Sequence, residues 1–177
     1  MRTSGLAVFN GTNFVGEISS TQTIYHLVLS NQLSNTIINI PSPFSDIDNI
    51  SLNIINAKSK NNVKIINNTP YITCNVSFKT RIISSSIASN YLTDENISIL
   101  ENYANSYFKA HLEEYLYKTS VELKSDIVGF GKLAVRNFST MPDWKDFNWL
   151  NSYQNSFFDV NVNSTIISSY LLLGNNK

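Results

Sequence analysis

One cysteine, Cys74, stands among 177 residues. No internal disulfide and no thiolate zinc site can therefore form. Cys74 sits inside a strand pattern, where a small apolar side chain is the reading that fits it. No apolar run reaches the ~18 residues that a membrane-spanning helix needs. Charge is scarce as well: 15% of residues are Asp, Glu, Lys or Arg, and 13 cations balance 13 anions. The cations are scattered, with no basic run longer than two residues, which argues against a nucleic-acid partner because phosphate binding needs clustered cations. Two histidines occur, His26 and His111. Neither has a histidine or carboxylate at i+4, so the paired ligand spacing of a metalloprotease helix is absent. His26 reads as a solvated helix residue and His111 as a hydrogen-bonded core residue.

Other catalytic patterns are missing too. There is no nucleophile elbow, phosphate loop or dinucleotide fingerprint. Gly129-Phe130-Gly131 lacks the third glycine and follows no strand pattern. Asp46 and Asp48 lie in a Pro-bounded loop but lack the glycine and distal glutamate of a calcium loop. Glu113 and Glu114 read as a solvated helix face. The sequence assigns no catalytic residue, no metal and no cofactor.

What is present is a patterned chain, 42% hydrophobic, long enough to bury a core of its own. Apolar segments flank Asn10-Gly11-Thr12-Asn13, a hairpin signal. Ser19, Ser20 or Thr21 can cap a short helix bearing Ile24, Leu27 and Val28. Residues 36–40 read as a strand stopped by Pro41 and Pro43. Ile50, Leu52 and Ile54 alternate with polar residues, a Lys58–Asn62 turn is expected, and Val63 to Ile66 resumes the strand. Tyr71 to about Ile83 gives the longest strand, with Ile72, Cys74, Val76, Phe78 and Ile82 on one face. Thr93 or Asp94 caps a helix expected to run to Lys124, with an apolar stripe from Ile97 through Leu100, Ala104, Phe108, Leu112 and Tyr115. A second helix is expected from Asp126, as its cap, to about Asn137. A short helical piece follows near Pro142 to Asn151, and a strand from Asp159 to Leu173 closes the chain. The pattern is α+β: an antiparallel, optionally mixed, sheet with a long helix across one face and short helices toward both ends. Residues 1–177 read as one domain, with no repeat or flexible linker.

The segment Ser125-Asp126-Ile127-Val128-Gly129-Phe130-Gly131 is the most unusual local feature. Two glycines around a phenylalanine make poor helix interior, at about 1 kcal/mol each relative to Ala, so packing or a chain break has to explain them. Downstream, Trp144, Phe147, Trp149, Tyr153, Phe157 and Phe158 crowd into fifteen residues. Most of these aromatics should complete the core; the alternative is a partly exposed docking patch.

Taken together, Gly5-Leu6-Ala7-Val8-Phe9 with Phe14-Val15-Gly16, the Asp126-Ile127-Val128-Gly129-Phe130-Gly131 motif, Pro142 with Trp144, and Phe157 leading into a last strand resemble the C-terminal domain of the Ger(x)C family. Tyr153 occupies a slot where the family pattern has tryptophan, and Ser84-Ser85-Ser86 replaces an expected acidic residue. The motif residues carried over are Asp126, Gly129, Phe130, Gly131, Pro142, Trp144, Tyr153 and Phe157, in a structural or docking capacity. The resemblance implies the C subunit of a spore germinant receptor: a non-enzymatic lipoprotein on the outer face of the spore inner membrane. Its implied partners are the A and B membrane subunits, with membrane contact only through an N-terminal lipid of the parent protein. The signal and lipobox of such a parent are absent from this chain, which then reads as an excised domain or truncated reading frame. A competing expectation is a soluble domain that binds a small nutrient between sheet and long helix, with His111 and Tyr107 as polar members of the site.

Overall fold

The computed structural model describes residues 4–85 and 93–167. A two-stranded antiparallel hairpin opens it, β1 (Leu6–Asn10) with β2 (Asn13–Ile18). The turn pair is Gly11-Thr12, one residue later than the Asn-Gly signal suggests, and its positive φ falls on Gly11. Helix α1 (Ser20–Leu29) begins at Ser19, where a reciprocal capping box with Gln22 satisfies two orphan backbone donors.

Four strands then form a mixed sheet in the order β3–β4–β5–β6: Asn35–Ser42, Ser45–Ile66, Thr69–Ser85 and Phe157–Ile166. The first three pair antiparallel and β6 lies parallel to β5. A parallel neighbour needs a long crossover, which here holds helix α2 (Asp94–Tyr117), capped by Thr93, and three shorter helices.

Two expectations about the strands are corrected. Pro41 does not stop β3; the strand runs to Ser42. β3 lies at the sheet's edge, where a missing N–H does not cost a ladder hydrogen bond. Nor is there a turn at 58–62. β4 is a single strand of 22 residues, continuous through Lys58–Asn62. Its irregularity is a bulge: Ile55 pairs Lys79 and Lys58 pairs Ser77, so Asn56 and Ala57 together oppose Phe78. Asn56 takes φ 54° there, a conformation asparagine tolerates. The Asn/Lys/Ser composition that reads as a loop is a strand with polar side chains on an open face.

The inner face of β5 carries Ile72, Cys74, Val76 and Phe78, all buried. Leu100, Ala104, Phe108, Leu112, Tyr115 and Leu116 of α2 are buried too, and α2 packs chiefly beside β6. The Phe78 and Phe108 rings meet edge-on at 4.8 Å between centroids, a favoured aromatic geometry. Burial pushes the Cys74 thiol up to about 12, so it stays protonated and unreactive. Helix α2 also covers the outer edge of β6. Asn105 Oδ1 accepts from Ser164 N at 2.7 Å and Glu101 Oε1 accepts from Ile166 N at 2.7 Å. These side chains stand in for a fifth strand and close an edge that could otherwise recruit one.

The two histidines exchange their expected environments. His111 is half-buried, its side chain 37% exposed, and pairs with Glu114 at 3.2 Å, one position nearer than the i+4 spacing. His26 is the one tied into the interior: its Nδ1 lies 3.0 Å from the hydroxyl of Tyr115, which is fully buried. Burial, and next the charge of Asp126, hold the Tyr115 phenol far above its ordinary value, so the hydroxyl keeps its proton beside the imidazole. Burial also lowers the His26 pKa below 6.5. The unfolded chain therefore takes up this proton first, and its contribution to stability is complete above pH 6.5 and lost as pH falls toward the lower native value. Between those values the wild type should lose stability faster than His26→Gln, measured by urea unfolding across pH. Parallel pH profiles would refute this.

Candidate functional site

Sequence and structure converge on the segment after the long helix. Helix α2 passes into a π-helical turn, Lys118–Glu122, instead of ending at Lys124 as an α-helix. The Thr119 hydroxyl donates to Leu116 O at 2.8 Å and meets Tyr153 OH at 2.8 Å. Burial, with the charge of Asp126 second, raises the Tyr153 phenol well above its normal value. The Tyr153 hydroxyl therefore keeps its proton and donates it to Thr119.

Lys124 takes φ 48° and the chain turns into Asp126. The expected helix from 127 to 137 is not continuous from that point. An irregular stretch comes first, followed by α3 (Gly131–Ala134) and a 3₁₀ turn, Val135–Asn137. Asp126 acts ahead of that helix. Its Oδ1 accepts from Gly129 N and Phe130 N, both at 2.9 Å. Its Oδ2 accepts from Gly131 N at 2.6 Å and from the Trp149 indole Nε1 at 2.9 Å. One carboxylate thus satisfies three consecutive backbone donors, which would otherwise lack partners at the start of a helix, and a buried indole N–H. Hydrogen bonds to an ionised acceptor are roughly twice as strong as neutral ones.

The two glycines have separate reasons to be glycine. Gly129 has φ 88°, and a Cβ there would meet only the Lys132 side chain, at 3.8 Å; its need is conformational. Gly131 is a matter of space, since a Cβ would stand 2.8 Å from Trp149 Nε1. Of the two reasons the sequence leaves open, packing or a chain break, close packing falls on Gly131 and the turn of the backbone on Gly129.

Around this knot Phe130 is buried with its ring 6.3 Å from that of Tyr153. Trp149 lies 5.6 Å from Tyr153 and 6.0 Å from Trp144. Trp144 sits in α4 (Met141–Phe147) and Trp149 opens α5 (Trp149–Tyr153). Of the eight motif residues, Asp126, Gly129, Phe130, Gly131 and Tyr153 come together, and Trp144 joins through Trp149. Pro142 stands apart at the exposed start of α4. Phe157 lies on the open side of the sheet, 56% exposed and stacked on Tyr71 at 5.1 Å. The sequence places Trp149 among the crowded aromatics but not among the motif residues, although it makes the direct bond to Asp126. Its signal was there: a tryptophan buried at this depth needs an acceptor for its N–H.

The other candidates are dispersed. Tyr107 and His111 have ring centroids 4.3 Å apart, and His111 lies 6.0 Å from Tyr25 of α1. They occupy the flank of α2 beside α1, where the Tyr107 ring also meets Phe108 edge-on at 5.7 Å. No group of three or more His, Cys, Asp or Glu side chains able to hold a metal occurs among the described residues. No described helix is long and apolar enough to cross a membrane.

Asp126→Asn keeps the size but turns an amide N–H toward donors, and should destabilise by about 2–4 kcal/mol. Gly131→Ala should cost about 1–3 kcal/mol by overpacking against Trp149 and shift the Trp149 fluorescence. Chemical denaturation reads both; unchanged midpoints would mean that the carboxylate and the close contact are dispensable.

A family model described as "Spore germination B3/ GerAC like, C-terminal" matches residues 4–170. Among solved structures, one described as the crystal structure of the GerBC protein superposes with a TM-score of 0.77 at 17% identity. That match covers 92% of this chain and 50% of the other, so this chain spans about half of its length. At such identity the likeness establishes the fold, the α+β arrangement of sheet and long helix. No curated protein sequence matches the chain. The family match runs through nearly every element described, from the first hairpin to the last strand, and the chain belongs to the spore germination B3/GerAC-like family, matching the C-terminal part that the model describes.

Proposed function

We propose that this chain is the C-terminal domain of a germinant-receptor C subunit and serves as a docking module without catalysis of its own. The observation that carries the reading is the family match over residues 4–170. On this reading the parent protein is held by an N-terminal lipid on the outer face of the spore inner membrane and assembles with the A and B membrane subunits. It contributes to nutrient-triggered germination by holding the receptor together.

The Asp126 cluster supports a role in architecture. Its carboxylate is occupied by three backbone N–H groups and one indole, which leaves it poorly placed as a general acid or base. The layer between sheet and long helix is filled by Phe78, Phe108, Leu112 and Ala104, which favours docking over a nutrient held in that layer.

Deleting the gene of the full-length parent should abolish the germination response to one nutrient while other responses persist. Affinity purification of the parent from detergent-solubilised spore membranes should recover two polytopic membrane proteins. Unchanged germination to every nutrient, or a parent purified alone, would overturn the proposal.

A further inference from the structure

The cations that are scattered in sequence are gathered by the fold. The strand register places Lys58, Lys60 and Lys64 of β4 and Lys79 and Arg81 of β5 on the side of the sheet opposite α2. All five are exposed. Five of the chain's 13 cations thus share one sheet face, and among its outward positions on β4, β5 and β6 only Asp159 is acidic. The ion pairs among the described residues involve α2 alone, so none of these five cations has a carboxylate of a described residue within 4 Å.

The bulge at Asn56-Ala57 shapes this face. It leaves two adjoining open hollows of about 530 and 520 Å³ that share Lys58 and Ser77. Lys60, Ser59 and Asn75 border the first; Lys79, Asn163 and Thr165 border the second. The first is held in shape by Asn31, whose side-chain amide accepts from Ser59 N at 2.8 Å and donates to Ser59 O at 2.9 Å. Each hollow therefore presents ammonium groups beside hydroxyl and amide donors, the set that receives a phosphate. Around the cations stand exposed apolar side chains on the same face: Ile37, Ile83, Tyr71 and Phe157.

We propose that this open face of the sheet is a second, electrostatic contact of the domain, and that its occupant is the headgroup layer of a bilayer containing anionic phospholipid. Charge complementarity selects the sign, since juxtamembrane cations are drawn to an anionic leaflet. The arrangement selects lipid over an acidic protein. Protein interfaces are depleted of charge at the centre and polar at the rim; here Lys58, Lys60 and Lys79 are central, while Lys64 and Arg81 stand at the two ends beside Tyr71, Phe157, Ile37 and Ile83. Aromatic rings with a polar edge are favoured at headgroup depth. The inference does not depend on the receptor assignment, and its failure would leave that assignment standing.

The test is co-sedimentation of the chain with vesicles of phosphatidylcholine alone and with vesicles of equal parts phosphatidylcholine and phosphatidylglycerol, in low and in near-molar salt. Binding should be confined to the phosphatidylglycerol vesicles and should be lost at high salt, because exposed charges are screened. Lys58→Glu with Lys79→Glu should lower binding at least tenfold with an unchanged circular-dichroism melting curve. Lys58→Gln with Lys79→Gln should give a smaller loss, and Lys109→Glu on α2 none. Absence of binding to the anionic vesicles, equal binding to neutral ones, or an equal loss in Lys109→Glu would overturn the proposal. Binding to soluble polyglutamate without binding to vesicles would assign an acidic polypeptide instead and also overturn it.

Discussion

The return path from the long helix to the sheet depends on one carboxylate. Helix α2 is about 36 Å long and leaves the chain far from the strand it must next form. The connecting turn has no ladder partner for its amides, and buried backbone donors without partners are costly. Asp126 answers this by accepting from Gly129, Phe130 and Gly131 in succession, and its fourth bond, to Trp149, ties the turn to the helices that precede β6. Tyr153, at the end of α5, then bonds Thr119 in the π-helical turn. The last helix of the crossover is thus joined to the turn that ends α2 before the chain enters β6.

Most of the architecture was legible because its signals are periodic. The alternation of Ile72, Cys74, Val76 and Phe78 and the stripe from Leu100 to Tyr115 both mark real buried faces. The Ser19 and Thr93 caps lie where their side chains suggest. The missed features are those where local composition and tertiary context disagree. Lys58 to Asn62 is turn-like in composition but lies in a strand, because its partners across the ladder decide it and its polar side chains have an open face to occupy. His26 looks solvated from its neighbours in sequence, whereas Tyr115, remote in sequence, fixes its environment. His111 sits on the stripe by its spacing, but at the stripe's flank, where α1 rather than the sheet meets it.

The candidate site was legible to a similar degree and for a similar reason. Asp-x-x-Gly-x-Gly declares its own geometry: an acceptor followed, three residues on, by backbone free to turn toward it. Trp149 was harder to find because the partner of a single indole N–H is set by folding, and nothing in its local spacing points back 23 residues to Asp126. The cationic face was invisible for the converse reason. The chain has no net charge and no basic run, yet strand alternation and a shared register sum five separated cations onto one surface.

What stands opposite these cations bears on the meaning of that surface. The register sets each of the five cations opposite a neutral residue, Ser77, Asn75, Tyr71, Ile55 or Asn53, so no carboxylate stands across the ladder where an opposite charge would contribute. The outward positions of β4 and β5 from Lys58 to Lys64 and from Tyr71 to Arg81 hold asparagine, serine, threonine and tyrosine between the cations, and no acid. Solubility does not require this arrangement, since mixed charges would serve it as well. The opposite side of the same sheet is closed by α2, and the edge of β6 is sealed by Asn105 and Glu101. The fold thus closes its apolar face and one edge while leaving a cationic face open and unneutralised, the pattern expected where the missing negative charge comes from outside the molecule.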